Sequence, residues 1–173
     1  MGQRNDRGVF PPAIESNRFG TMRLEQFPIT AELMHRHYEP PDRVVIPTRR
    51  VRLDPKGLTL VIWLPDWGVP DVARFTDTVE KRFEEFVNRL DAILDEAIPT
   101  IESAIEYFWQ IPDERGPTAE ELLNTGVLRH LSLNSGQGPH EIIIYDQGDL
   151  IGSHDLVVEL TENFQPKSAH FDG

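Results

Sequence analysis

Cysteine is absent from this chain of 173 residues, which removes disulfides, thiolate metal sites, iron–sulfur clusters and a cysteine nucleophile together, and leaves a reducing compartment fully acceptable. Long apolar runs are also missing. The longest uncharged apolar run, around Leu58 to Pro65, falls far short of the ~20 residues that cross a bilayer. At the N-terminus, Met1 to Ile14 has no apolar core before a cleavage site and so does not read as a secretory signal, and Asp6 stands where a myristoylation signal wants Ser or Thr. A cytoplasmic location is the expectation. There is no Gly-Lys-Ser/Thr for a phosphate loop. Gly136-x-Gly138 lacks the third glycine and the helix start of a dinucleotide site, so nucleotide binding has no support.

Positive charge is scarce as well. The formal charge is −12, and it is unevenly spread. Up to Lys56 there are ten Arg or Lys against seven Asp or Glu, giving +3; from Gly57 onward there are seven against 22, giving −15. Such a field repels nucleic acid and anionic membranes and accelerates encounter with a basic protein. Solubility alone is the plainer reason for an acidic chain.

What is present is helical periodicity. From Asp71 to Gln110, Val72, Phe75, Val79, Phe83, Phe86, Val87, Leu90, Leu94, Ala97, Ile98, Ile101, Ile105 and Phe108 recur at the spacing of one amphipathic helix. Asp71 after Pro70 is its expected cap, with Thr76 as a later alternative. About 40 helical residues would reach about 60 Å, too long for a compact domain of this size, so Pro99 is expected either to kink the helix or to divide it into two abutting ones. Since the apolar register continues past Pro99, Ala97 and Ile101 should both be buried.

Elsewhere the signals are shorter. Residues 1–17 read as a mobile arm and 18–173 as a single domain. Phe19 to Glu25 alternates like a strand. Between its flanking prolines, Ile29 to Tyr38 suits a short helical turn capped by Thr30. Asp54-Pro55-Lys56-Gly57 is a turn sequence that predicts a hairpin joining 49–54 to 58–64. Thr118 and Glu121 sit at capping-box spacing, with Gly126 as the stop of a second, short helix. Val127 to Asn134 suits either a strand or a continued helix. Glu141 to Tyr145 and Leu156 to Leu160 look like antiparallel partners, with an edge strand near Ser168 to Phe171. The fold class is therefore α+β: an antiparallel sheet with one long kinked helix and a short second helix on one face.

Candidate chemistry is thin. Ser153-His154-Asp155 holds the residue types of a hydrolase triad, but neighbours on a strand point to opposite faces and cannot converge on one carbonyl. His35-x-His37 with Glu39 or Asp42 is a possible start of a metal site, while His130, His140, His154 and His170 show no ligand spacing. No metal and no cofactor are expected. Trp63 and Trp67, bracketing Pro65, are expected to close a core edge rather than stack on a ligand. The helix surface says more. Asp77, Glu80, Glu84, Asp91 and Asp95 fall together on one flank, an acidic stripe, and Arg74, Lys81, Arg82 and Arg89 occupy the other. Asp77–Lys81 and Glu85–Arg89 have the spacing of ion pairs along the helix. The ordinary reading of the stripe is a solvated helix face; the functional one is a docking surface for a cationic protein.

The order of elements, opening on Phe19-Gly20-Thr21-Met22-Arg23-Leu24 and closing on Ile142–Tyr145, His154 and Val157-Val158-Glu159-Leu160, resembles a group of small bacterial α+β domains of unknown function. These open on a Phe-Gly strand and close on a strand entered through Glu-His-Gly. The similarity spans about Phe19 to Leu160; in the closing motif His154 matches, while Ser153 and Asp155 replace Glu and Gly. Some members look like immunity proteins that bind and block a toxin domain. The resemblance thus implies a non-enzymatic role with a basic partner, an acidic binder mimicking the substrate charge of a nuclease toxin. The alternative is a small enzyme or ligand-binding protein with a pocket between helix and sheet.

Overall fold

The computed structural model describes residues 13–16, 18–24, 29–33, 46, 48–53, 58–63, 71–112, 114–134, 139–146 and 150–173. Alternating apolar residues give the strands. In order they are β1 (Ala13–Ser16), β2 (Gly20–Leu24), β3 (Ile29–Leu33), β4 (Arg52–Leu53) and β5 (Leu58–Trp63), then β6 (Gly126–Asn134), β7 (His140–Asp146), β8 (Asp155–Leu160) and β9 (Pro166–Asp172). Two helices, α1 (Val72–Phe108) and α2 (Ala119–Thr125), lie between β5 and β6. The described strands form one sheet, β1-β2-β3-β5-β6-β7-β8-β9, with β4 paired to β6. This is the expected α+β class.

The inner face of the sheet is built by register. Leu60, Leu131, Ile142, Val158 and Ala169 follow one another across β5 to β9 in a single row, so period-2 alternation on each strand sums to one apolar layer. Against it α1 presents Phe75, Val79, Phe83, Phe86, Leu90, Leu94, Ala97 and Ile101, all buried. Ala97 and Ile101, on either side of Pro99, are both fully buried in a helix that runs on through the proline. Phe83 sits edge-to-face on Phe19 with ring centroids 5.0 Å apart. Phe108 departs from the expected stripe and is 38% exposed.

Helix ends follow their side chains. Asp71 accepts from the Arg74 N–H at 3.0 Å at the start of α1. At α2 the Thr118–Glu121 capping box forms reciprocally, and the Thr118 backbone N–H on its carboxylate holds Glu121 below its usual pKa. Gly126 ends α2 where a Cβ would press on the Leu122 carbonyl oxygen, 2.7 Å away, and on the Ile144 side chain. Close approach, not a left-handed turn, selects glycine there.

Several elements differ from the sequence reading. Residues 13–16, expected in the arm, form β1, which pairs antiparallel with β2 and buries Ile14 and Ser16; residues 1–12 lie outside the described residues. Residues 29–33 form β3, not a helical turn, since their neighbour β5 supplies a full ladder from Ile29↔Ile62 to Leu33↔Leu58. Among the described residues, 49–53 and 58–63 do not pair as the expected hairpin. Instead β4 and β5 both run parallel to β6 along the same edge, Arg52 opposite Val127 and Thr59 opposite His130. The centre of an otherwise antiparallel sheet is therefore a parallel pair.

Candidate functional site

The acidic stripe is held by the chain itself. Asp91 accepts from the Thr48 hydroxyl at 2.9 Å, from the backbone N–H groups of Arg49 and Arg50 at 2.8 and 3.3 Å, and from Arg49 Nε at 3.3 Å. Burial raises its pKa, but the Arg49 N–H, the Thr48 hydroxyl and the other donors outweigh burial and leave it below the usual carboxylate value. Asp95 and Glu120 both bind the guanidinium of Arg50, the latter at 2.9 Å. These contacts, first among them the hydrogen bond to Asp95, raise the Arg50 pKa. Glu80 accepts from Ser16 Oγ at 2.5 Å, and Glu84 lies 3.7 Å from Arg18. Asp77 is exposed and enters no ion pair with a described residue. Thus four of the five stripe carboxylates engage the basic N-terminal part of the same molecule.

The opposite flank behaves alike. Arg82 and Arg89 donate to the carbonyls of Glu162 and Asn163 at 2.9 and 3.0 Å, clamping the turn between β8 and β9 onto α1. Inside that turn Phe164, at φ 60° and fully buried, stacks between Phe86 and His140 at 5.4 and 4.5 Å. A bulky residue in the left-handed region carries backbone strain on the order of 1 kcal/mol, which burial of the ring exceeds. His140 is likewise fully buried. The Asn134 N–H donates to its Nδ1 at 2.9 Å, so the neutral ring carries its proton on Nε2, 3.4 Å from the Glu162 carbonyl. Burial pushes its pKa down to about 4.

The remaining histidines do not converge. His154 meets Phe108 edge-to-face at 4.8 Å, and Ser153 is exposed. Asp155 stands opposite Asp172 across β8 and β9, where burial first, and Asp172 against it, raise its pKa. No triad forms. His35, His37, Glu39, Asp42, Trp67 and residues 136–138 lie outside the described residues. Among those described, no three His, Asp or Glu side chains are placed to hold a metal ion, and no helix is long and apolar enough to cross a membrane. Trp63, expected at a core edge, is 42% exposed on the face of the sheet away from α1 and donates to Ser132 Oγ at 2.8 Å.

One concave feature stands apart from these internal clamps. A groove of about 400 Å³ runs between the C-terminal half of α1 and β9. On the helix side it is lined by Thr100, Ser103, Ala104, Tyr107 and Phe108; on the sheet side by residues 167–171. Phe108 packs on Phe171 at 4.8 Å, flooring the groove with aromatic surface. Of the lining residues, Tyr107 is 82% exposed. The sequence reading placed a possible pocket between helix and sheet but assigned it none of these residues: Phe108 reads as core in the helical register, and Tyr107 stands outside that register.

Comparison of this chain with protein-family models, with curated proteins and with solved structures gave no match; the functional reading stands on its own residues.

Proposed function

We propose that this chain is a non-enzymatic protein-binding domain whose docking site is the groove between α1 and β9. The observation that carries this reading is an apolar groove with exposed Tyr107 and Phe108 in its lining. Large apolar side chains left uncovered beside one another mark an interaction site more often than a bare surface. Its described lining holds one histidine, one lysine and one tyrosine but no carboxylate, so the paired carboxylates of acid–base hydrolysis are not brought together there.

In this reading the acidic stripe has a different part from contact. Asp91, Asp95 and Glu80 hold the N-terminal segment, and the net charge of −12 acts at long range, steering a partner of opposite overall sign. A basic toxin domain, which the family resemblance implies, is the partner class this field suits. A second reading keeps the same groove but fills it with a small apolar ligand, since about 400 Å³ lies within the range of ligand pockets.

The experiment is recovery of a partner from the source cell, followed by association and dissociation rates for three proteins. Ser103→Arg, at an exposed groove position, should accelerate dissociation. Glu84→Lys with Asp77→Lys should slow association at low salt and leave dissociation unchanged. A Ser103→Arg protein that binds the partner like wild type would remove the groove as the docking site. A small molecule that copurifies and is displaced by Ser103→Arg would support the ligand reading instead.

A further inference from the structure

Alternation gives a strand two faces, and a cavity lying on one face is lined by every second residue. The groove beside α1 is lined by five consecutive residues of β9, 167–171. The cavity therefore follows the strand's edge. β9 is the last strand of the described sheet and pairs with β8 on its other side, so the backbone N–H and C=O groups on its outer edge, which have no strand partner among the described residues, border apolar surface.

Edge strands are normally blunted by proline, lysine or a bulge. All three devices occur here, and all at one end. The strand opens on Pro166, and the register shift between Glu159 and Leu160 leaves Lys167 as the extra residue. From Ser168 to Asp172 the ladder with β8 is regular, and that stretch lies beside Ala104, Tyr107 and Phe108 of α1. Five strand residues span about 17 Å.

Charge distinguishes one end of the groove. In a molecule with a net charge of −12, the described lining of this groove contains no carboxylate and does contain Lys167 and His170. Lys167 is 63% exposed and only loosely tied to Glu159, at 3.9 Å. An occupant with a carboxylate near Lys167 is favoured there, and one with a cation is not.

We propose that the groove takes an extended segment of the partner protein as an added strand on β9, its alternate apolar side chains entering between β9 and α1 and a carboxylate meeting Lys167. The proposal rests on the protein-binding reading above and adds the conformation and chemistry of what binds. An antiparallel or parallel peptide satisfies the free backbone groups, which a globular apolar ligand leaves unpaired, while the α1 side chains supply the selectivity. The overall basic character of the partner is compatible with this, because long-range steering and the single charge at the groove end act at different distances.

The test uses synthetic peptides about six residues long, matching the ~17 Å of regular strand. In these Val, Ile or Phe alternates with Thr, and each peptide ends in Glu or in Lys. Fluorescence anisotropy should show the Glu-terminated forms binding about tenfold tighter. Lys167→Glu, at an exposed position, should invert that preference. N-methylation of one alternate set of peptide amides should weaken binding by about tenfold or more, and of the other set hardly at all, since only one set faces β9.

Equal loss from both methylation patterns, with Ser103→Arg still abolishing binding, would overturn strand addition while leaving the groove as the docking site. Failure of every peptide to bind would overturn the inference. Failure of every peptide together with unchanged partner binding by Ser103→Arg would overturn the groove reading as well.

Discussion

Replacement of Asp91 by Ala should destabilise the protein by about 2–3 kcal/mol, although the residue sits on a helix flank where charges usually contribute a few tenths. The difference lies in its partners. A carboxylate that accepts from two backbone N–H groups and a hydroxyl makes charge-assisted bonds, each roughly twice as strong as a neutral one. At Asp91 those donors are Arg49 and Arg50 N–H and Thr48 Oγ1 at 2.8–3.3 Å. They tie residues 48–50 to α1, and with them buried Val51 and Ile46. Arg49 is exposed, so water recovers part of the loss. Asp91→Asn, which keeps shape and one acceptor, should cost less than Asp91→Ala. Because the folded-state pKa is lowered, the contribution is present above the unfolded carboxylate value near 4 and is lost as pH falls through the folded value. Urea unfolding of wild type and both variants at pH 7 and at pH 3 checks this. The gap between wild type and Asp91→Ala should be full at pH 7 and shrink at pH 3. A gap under about 0.5 kcal/mol at pH 7, or one that does not change with pH, would refute the reasoning.

Glu84→Lys, by contrast, removes only the 3.7 Å contact with Arg18 and should change stability by less than about 0.5 kcal/mol in the same assay. Phe83→Ala empties a fully buried position against Phe19 and should cost about 3–5 kcal/mol by denaturant melting. His140 should titrate near pH 4 by NMR. Since its folded pKa lies below the unfolded 6.5, its neutral form stabilises fully above pH 6.5, and up to about 3 kcal/mol is lost as pH falls toward 4. Gly126→Ala should destabilise by about 1–3 kcal/mol in thermal or urea unfolding, because the new methyl group meets the Leu122 carbonyl oxygen at 2.7 Å.

The elements with a local period were legible. α1 follows from one unbroken amphipathic stripe capped by Asp71, α2 from a capping box, and β7, β8 and β9 from alternation between turn residues. What local pattern cannot carry is the identity of a strand's neighbour. The Asp54-Pro55-Lys56-Gly57 turn signal suggested a hairpin, yet β4 and β5 find β6, which follows both helices. β3 was hidden because its flanking prolines dominate the signal, while the partner that makes it a strand is β5. The stripe on α1 was legible as geometry and not as function. Its partners Ser16, Arg18 and residues 48–50 come from the basic N-terminal part, so the charge asymmetry between the two parts of the sequence was the available sign of internal pairing. The groove combines Ser103 and Tyr107 with an edge strand at the far end of the chain, and no sequence period joins them.

Hydrogen exchange of the protein with and without saturating partner tests the docking claim most directly, because it separates the groove from the acidic stripe in one measurement. Slowed exchange is expected in Pro166–Asp172 and around residues 100–108, with Val72 to Asp91 unchanged. Protection confined to the N-terminal half of α1, with β9 exchanging as in the free protein, would contradict it and return the acidic stripe to the role of contact surface.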